Sequence, residues 1–178
     1  SSTASIPPGT TSTDIDIQIV DDPVVEHTET LTVSISNPQN ATIQPEGNEA
    51  TVTIVDNDPL PEVSVRPITA VREGNEGATT TAEVVVSLSA VIDSNVIVNY
   101  ATVETGGATA GVDYIAATGT VTIPAGQISG MIPIVVNGDE VEEGHESFGI
   151  AISNATSSLG ILNIVVSTST VTIVGDDL

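Results

Sequence analysis

The side chains of this sequence that could do chemistry are concentrated in two acidic turns. The longer turn covers residues 137–148, and its central eight residues carry five carboxylates and one histidine. The shorter turn covers residues 22–29 and repeats three of those acids at the same spacing. The repeated acids are Asp22, Glu26 and Glu29, which match Asp139, Glu143 and Glu146, in each case 117 positions later. Because Ca²⁺ takes about six to eight hard oxygen ligands, each turn is interpreted as part of a calcium site.

Two simpler interpretations compete with calcium. A single acidic turn is usually a solvated surface, and it is the repetition, together with acids elsewhere in the chain, that favours a metal site. Zinc is disfavoured because His27 aligns with Gly144 rather than with His145. Neither histidine has a cysteine or a second histidine beside it, as a zinc site would need. Both histidines are therefore predicted to be exposed loop residues.

Composition narrows the possible partners. Only two basic residues, Arg66 and Arg72, stand against 24 acidic residues in a chain of 178, which gives a formal net charge of −22. Nucleic acids and direct membrane insertion are excluded, because the chain has no cationic patch and no apolar run of transmembrane length. It also has no cysteine, so disulfides and cysteine-bound metals are excluded. A secreted chain without disulfides is more typical of bacteria, so a bacterial extracellular or cell-surface location is expected.

The sequence also argues against an enzyme. It contains no Ser-His-acid constellation, no glycine-rich phosphate loop and no pair of carboxylates in an evident cleft. Carbohydrate binding by ring stacking is disfavoured, because Tyr100, Tyr114 and Phe148 are the only aromatic residues. Of these, Tyr114 and Phe148 are predicted to fill the core.

Strands are predicted on both sides of each turn, because apolar and polar residues alternate along most of the chain. Residues 14–19 alternate strictly and predict a half-buried strand with Ile15, Ile17 and Ile19 facing inward. Nine further strands are predicted, at 31–35 and 51–55 and then in a series of seven at 62–71, 81–89, 95–103, 118–123, 128–136, 146–153 and 168–174. No window has a helical period. The predicted fold class is therefore all-β, a seven-stranded Greek-key immunoglobulin-like β-sandwich in tandem repeats.

An internal repeat sets the domain organisation. Residues 51–55 match residues 170–174, as the two acidic turns match each other, whereas residues 62–117 have no counterpart upstream. The predicted domains are the C-terminal half of a repeat at residues 1–58 and a complete repeat at residues 59–178. The half-repeat would leave apolar faces and strand edges unpaired. Its missing strands are expected either to belong to polypeptide that was cleaved away or to be supplied by another chain through strand addition.

Motifs along the whole complete repeat resemble the Calx-β domain family. The matching stretches are 71–74, 99–102, 108–114, 119–126, the longer acidic turn and 174–177, in the family's order. The resemblance implies an immunoglobulin-like sandwich that binds calcium at one end through acids from several loops. Carried over position by position, the implied metal ligands are Glu73, Asp113, Asp139, Glu143, Glu146, Asp176 and Asp177, with the backbone carbonyl of Val141.

The sequence departs from the family's fullest pattern at two positions. Gly138 and Gly175 stand where members that bind several calcium ions have acids, so the resemblance implies few ions rather than a larger cluster. In the half-repeat the corresponding residues are Asp22, Glu26, Glu29, Asp56 and Asp58. This second site lacks counterparts of Glu73 and Asp113, and it is expected to bind weakly or to stay empty.

The expected function is a calcium-binding structural or adhesive module of a large extracellular or cell-surface repeat protein. Calcium would stiffen the loop end and the junction between repeats, and neighbouring repeats of the same protein would be its partners. Two alternatives stay open. One is a calcium-sensing module that regulates an attached domain, and the other is a metal-free fibre subunit assembled by strand complementation.

Overall fold

A computed structural model describes residues 2–142 and 144–175, and twelve strands are their regular elements. The strands are β1 Glu29–Ser34, β2 Glu49–Ile54, β3 Val63–Val65, β4 Ile68–Arg72, β5 Thr79–Leu88, β6 Val96–Val103, β7 Thr118–Ile123, β8 Ser129–Asn137, β9 Glu146–Ser157, β10 Gly160–Ile161, β11 Ile164–Val166 and β12 Thr168–Val174. The predicted all-β fold class is confirmed. No helix in the described part of the chain is long and apolar enough to cross a membrane.

The chain divides into two compact units. The smaller unit comprises the chain up to Asp22 together with Thr30–Ile54, and the larger comprises Pro23–Glu29 together with the chain from Val55 onward. Most of the first acidic turn therefore belongs to the larger unit. The predicted bounds 1–58 and 59–178 follow the sequence repeat rather than compactness, and they stay a prediction.

The larger unit is built from two sheets. One has the strand order β4-β12-β9-β6-β7, with β10 paired to β9, and the other has the order β11-β3-β5-β8. Strands β4 and β12 run parallel, as do β3 and β11, whereas β5 and β8 and the β9 pairs are antiparallel. Strands that are neighbours in space are often distant in sequence, so loops from distant parts of the chain meet at each end of the sandwich.

Inward-facing valines and isoleucines of both sheets fill the core of the larger unit. Val84 of β5, Val96 of β6 and Ile132 of β8 have no exposed surface. Tyr114 and Phe148 stack with their ring centroids 4.0 Å apart and their planes 12° apart. Both rings are buried, which confirms the prediction that they fill the core.

The strand predicted at 62–71 is divided between the two sheets. Its first part, β3, pairs with β5, and its second part, β4, pairs with β12. Pro67 lies at the break and has no N–H to donate, while its carbonyl accepts a hydrogen bond from the N–H of Thr170 at 2.8 Å. The short strands β10 and β11 were not predicted, because two or three residues are too few to show alternation.

The strand predicted at 14–19 is not formed. Residues 2–24 of the described chain carry no strand, and Ile15, Ile17 and Ile19 are exposed rather than facing inward. The alternation was real, but a strand is stable only beside a partner. The equivalent strand of the complete repeat, β8, pairs with β5, and β5 lies in the region without a counterpart in the first repeat. Among the described residues of the smaller unit, β1 and β2 pair with each other, near the predicted positions.

Candidate metal centre

Four of the predicted ligands lie at one end of the sandwich in the larger unit. Glu73 follows β4, Asp113 lies in the loop between β6 and β7, Asp139 follows β8, and Glu146 begins β9. Backbone hydrogen bonds tie these segments together. They run from the N–H of Glu73 to the carbonyl of Val174 at 3.1 Å, from Asn137 to Asp113 at 2.9 Å, and from Gly138 to Ala78 at 3.0 Å.

Glu73 and Asp113 are the two buried acidic residues of the described chain. Glu73 is 4% exposed and Asp113 is 7% exposed. Asp113 is held by its own loop, because its carboxylate accepts a hydrogen bond from the N–H of Thr109 at 2.6 Å and its N–H donates to the carbonyl of Thr109 at 3.0 Å. Charged carboxylates are seldom buried unless a counter-charge or hydrogen bonds compensate for lost hydration. Two carboxylates are therefore shielded from water at this end of the sandwich.

Asp139 opens the longer acidic turn on the solvent side of that end. Its Oδ1 accepts a hydrogen bond from the N–H of Val141 at 2.7 Å, which closes an Asx turn. Val141, whose carbonyl is the predicted backbone ligand, is 57% exposed. The start of the turn is thus fixed by local hydrogen bonding.

Glu146 is positioned by the sheet and by the loop that precedes Asp113. It pairs with Ile173 of β12, and a Cβ atom at Gly107 would lie 3.5 Å from its Oε1 atom. Gly107 has a φ of 108°, a conformation that glycine adopts without strain. The Glu146 carboxylate therefore lies within van der Waals distance of this loop, and glycine is favoured there by its φ rather than by lack of space.

Three predicted ligands, Glu143, Asp176 and Asp177, lie outside the described residues. Within residues 2–142 and 144–175, no three or more Asp, Glu, His or Cys side chains lie close enough together to hold a metal ion. The structure thus brings Glu73, Asp113, Asp139 and Glu146 to one end of the fold without gathering them into a closed shell. The ligand set as a whole stays a prediction.

Sequence reasoning missed residues that position the candidate ligands. Thr80 Oγ1 donates to the carbonyl of Arg72 at 2.8 Å or that of Glu73 at 3.1 Å, which holds the turn after β4. Asn137 Nδ2 donates to the carbonyl of Val112 at 2.7 Å, which joins the end of β8 to the Asp113 loop. Neither contact has a local sequence signal, since each links segments that are separated along the chain.

Glu104 is a further acidic residue of the same loop that the sequence did not single out. Its Oε1 accepts a hydrogen bond from the N–H of Ala110 at 3.3 Å. Burial raises the pKa of the Tyr114 hydroxyl, and the negative charges of Glu104 and Asp113 raise it further. The tyrosine therefore stays neutral beneath the acidic loop.

The first acidic turn contains a smaller arrangement of the same kind. The N–H of Glu26 donates to Asp56 Oδ2 at 3.0 Å, and the N–H of Asp58 donates to Asp56 Oδ1 at 3.3 Å. Glu29 begins β1, and Asp22 is an exposed residue of the smaller unit. Asp56 is thus the residue that links the turn to the segment leading into the complete repeat.

Residues of the first turn also pack against the opposite end of the complete repeat. Val25 is 3% exposed and forms a parallel bridge with Ile92. Its N–H donates to the carbonyl of Val91 at 3.0 Å, and its carbonyl accepts from the N–H of Asp93 at 2.9 Å. This buried valine was not singled out from the sequence, because apolar residues inside a charged turn have no periodic signal.

His27 adds a polar contact beside Val25. Its Nδ1 lies 3.0 Å from the carboxylate of Asp93, and its Nε2 lies 3.0 Å from Ser158 Oγ. The hydrogen bond from His27 lowers the pKa of Asp93, outweighing the opposite effect of burial. His27 is exposed, as predicted, but its exposed ring joins the first turn to two loops of the complete repeat.

The family comparison decides what kind of domain this is. The model of the Calx-beta domain matches residues 5–58 and 66–177. The chain belongs to the Calx-beta domain family. The two matches fall on the half-repeat and on the complete repeat, and the predicted resemblance is confirmed.

Solved Calx-beta structures have the same fold. The apo form of the Calx CBD1 domain is 26% identical, with a TM-score of 0.54 over 67% of this chain and 100% of that one. CBD12 from CALX1.2 is 28% identical, with a TM-score of 0.55 over 65% of this chain and 44% of that one. The calcium binding domain CBD12 of CALX1.1 is 28% identical, with a TM-score of 0.53 over the same shares of the two chains. The search of curated proteins gave no match.

Proposed function

We propose that this Calx-beta chain is a non-catalytic module that binds calcium at the end of the complete repeat carrying Glu73 and Asp113. The observation that supports this most directly is burial. The two buried acidic residues of the described chain are both predicted ligands, and backbone hydrogen bonds tie their loops to neighbouring segments. Burial takes hydration away from both carboxylates, and a bound cation would replace part of it, so this end of the fold suits a cation.

The donor set suits calcium better than other ions. Carboxylate and carbonyl oxygens are the ligands of Ca²⁺, and the chain has no cysteine with which to bind a softer metal. Glu73 and Asp113 would supply the buried part of the shell, and Asp139, Glu146 and the Val141 carbonyl the part nearer solvent. Glu143, Asp176 and Asp177 complete the proposed set. Bound calcium supplies positive charge that offsets the repulsion among these acids.

We further propose that the first turn, although it is the weaker and incomplete site, stiffens the junction between repeats when it binds calcium. Glu26 and Asp56, both proposed ligands, are hydrogen-bonded to each other. The residues on either side of Glu26, namely Val25 and His27, contact the loop at 91–93 of the complete repeat. An ion that holds Glu26 and Asp56 together would therefore also restrain the segment that makes those contacts.

Regulation is the second candidate function, and the contacts of Val25 and His27 with the loop at 91–93 favour it. If calcium changes the conformation of the junction rather than only its flexibility, the module would transmit calcium binding to an attached domain. A structural module keeps one shape and loses flexibility, whereas a sensing module moves between two shapes. Small-angle scattering with calcium and with chelator distinguishes these outcomes, because only the second changes the radius of gyration between two well-defined values.

The setting that fits these properties is an extracellular or cell-surface repeat protein, with neighbouring repeats as partners. Extracellular calcium modules bind in the range of about 10⁻⁴–10⁻³ M, where the ion is abundant. The charge of −22 and the absence of cysteine suit such surroundings. Whether the parent protein is adhesive depends on surfaces beyond the calcium site.

Thermal unfolding tests the proposal. The chain is melted in chelator, in calcium and in magnesium, at equal ionic strength. Calcium at ten to a hundred times its Kd is expected to add about 1.4–2.7 kcal/mol of stability, while magnesium at the same concentration adds much less. Equal melting temperatures in calcium and in chelator would contradict the proposed function.

A further inference from the structure

Asn137 and Gly138 form the only Asn-Gly pair in the sequence. The pair lies where β8 ends and the longer acidic turn begins. In peptides an asparagine followed by glycine is especially prone to deamidation, because glycine has no side chain to hinder attack by its backbone nitrogen on the asparagine amide carbon. A reactive pair therefore lies beside the candidate metal centre, at two positions that are not among the proposed ligands.

The folded chain restrains the asparagine of this pair. Its Nδ2 atom donates to the carbonyl of Val112 at 2.7 Å, and its N–H donates to the carbonyl of Asp113 at 2.9 Å. On its other side, Asn137 pairs with Thr79 of β5. The side-chain amide and the strand backbone of Asn137 are thus both fixed by neighbouring segments.

The nitrogen that would attack is restrained as well. The N–H of Gly138 donates to the carbonyl of Ala78 at 3.0 Å, in the segment that joins β4 to β5. This nitrogen can approach the Asn137 amide carbon only after that hydrogen bond has broken and the backbone has rotated out of the strand. The fold therefore holds both reacting groups apart, and local opening at the end of β8 is needed to release them.

We propose that Asn137 is a deamidation site that the fold protects and that reacts when the end of β8 opens. The Gly138 nitrogen forms a bond to Asn137 Cγ, the bond from Cγ to Nδ2 breaks, and ammonia leaves with the proton from Gly138. Water then opens the cyclic imide at one of its two carbonyl carbons, which gives aspartate or isoaspartate at position 137. Water is the only co-reactant, and nothing is oxidised or reduced.

The product changes the contact with the Asp113 loop. A carboxylate has no N–H to donate, so its oxygen would face the carbonyl of Val112 where the amide nitrogen now donates to it. It also adds a negative charge near Asp113 and Asp139 in a chain whose net charge is already −22. Deamidation thus replaces an attraction between β8 and this loop by a repulsion, and it does so irreversibly in chains that have spent time open.

The test uses the full chain in chelator, so its outcome does not depend on calcium binding. The chain is incubated at neutral pH, folded in buffer or unfolded in urea, and conversion at each asparagine is measured by mass spectrometry of its peptides. In urea Asn137 is expected to convert before the other asparagines. In buffer it is expected to convert at least about tenfold more slowly than in urea, because the reaction must await local opening.

A matched pair of variants tests whether the described contacts give the protection. Thr80→Val removes the hydroxyl that holds the turn after β4, and this turn leads to the carbonyl of Ala78. It should raise the conversion rate in buffer several-fold and leave the rate in urea unchanged. Thr81→Val changes the next residue of β5, which is exposed, and should react like the parent chain. Circular dichroism checks that both variants are folded.

A second pair tests the effect of the product. Asn137→Asp places the new carboxylate directly and should lower the melting temperature in chelator. Asn95→Asp makes the same change of charge, but Asn95 uses its Oδ1 atom to accept a hydrogen bond from Ala125 at 2.9 Å, which a carboxylate retains. It should therefore lower the melting temperature less.

Three results would overturn the proposal. Equal conversion at Asn137 in buffer and in urea would show that the fold gives no protection. An Asn137 that stays intact in urea while other asparagines convert would show that the pair is not the reactive site. Equal melting temperatures for Asn137→Asp and Asn95→Asp would show that the product does not weaken the contact. Fast conversion in urea, slow conversion in buffer and faster conversion with Thr80→Val support the proposal.

Discussion

Gly138 packs directly against the backbone of Gly74 at the acidic end of the complete repeat. A Cβ atom at position 138 would collide with the carbonyl of Gly74 and lie 2.6 Å from the carbonyl oxygen of Asn75. The turn after β4 and the end of β8 are therefore joined with no room for a side chain. The resemblance implies an acid at this position in members that bind several calcium ions, and here an acid would need the backbone to move. The close contact gives a physical reason to expect few ions.

Gly138→Ala should destabilise the complete repeat. Overpacking against rigid backbone typically lowers the free energy of unfolding by about 1–3 kcal/mol, and the contacts at this site are with carbonyl groups that cannot rotate away. Urea unfolding measures the change. Gly144→Ala is the matched control, because a Cβ at Gly144 would meet nothing within 4 Å. Equal unfolding midpoints for the two variants would contradict the packing described here.

Asp113→Asn should have opposite effects with and without calcium. In chelator the amide removes a buried negative charge and still accepts the hydrogen bond from Thr109, so stability should stay equal or rise. In calcium the variant should lose most of the calcium-dependent gain in melting temperature, since a charged ligand has been removed. Glu83→Gln removes one charge from the exposed face of β5 and serves as control. A variant that is equally destabilised in both conditions would indicate a structural role for Asp113 only.

The fold of the complete repeat was predictable from alternation, but the placement of individual strands was not. Strands such as 118–123 and 168–174 match β7 and β12 residue for residue, because one of their faces is buried and the other solvated. The strand predicted at 14–19 is not formed. Alternation shows only that a segment can pair, whereas a strand also needs a partner such as β5. The strand predicted at 62–71 is divided at Pro67 because its two halves pair in different sheets. No local sequence pattern predicts this division.

The candidate site was predictable to a similar degree. The family resemblance singled out Glu73 and Asp113, which are buried and at the same end. The contacts that position them, from Thr80 and Asn137, depend on tertiary structure and carry no local signal. The same is true of Val25, which is buried only because the loop at 91–93 lies beside it.

Phe148→Ala should strongly destabilise the complete repeat. The ring has no exposed surface and stacks on Tyr114, so its removal leaves a cavity that costs about 3–5 kcal/mol. Denaturant unfolding followed by far-ultraviolet circular dichroism measures this loss. Phe148→Leu keeps most of the apolar volume and should cost less. A change below about 1 kcal/mol for the alanine variant would be incompatible with a well-packed stack.

Asp93→Asn should loosen the first turn from the complete repeat. The contact with His27 is partly exposed, so the change in stability should be within about 1 kcal/mol, and hydrogen exchange at Val25 is the more sensitive measurement. The pKa of Asp93 is lowered in the folded state, so its contribution is present above its ordinary pKa of 3.8 and is lost as the pH falls through the lowered value.

The difference between the parent chain and Asp93→Asn should therefore vanish in strong acid. Val25→Asp, which places a charge in the buried bridge with Ile92, is the positive control and should increase exchange in this turn more than Asp93→Asn does. Unchanged exchange at Val25 in the asparagine variant would mean that the apolar contact alone holds the turn.

Isothermal titration with calcium tests most directly whether acids from separate loops act together on one ion. The parent chain should give a saturable isotherm with a Kd of about 10⁻⁴–10⁻³ M. Glu73→Gln and Asp113→Asn, on different loops, should each weaken binding by about tenfold or more, which is 1.4 kcal/mol. Glu83→Gln should bind like the parent. A parent chain that gives no saturable heat, or isotherms unaffected by both substitutions, would contradict the account.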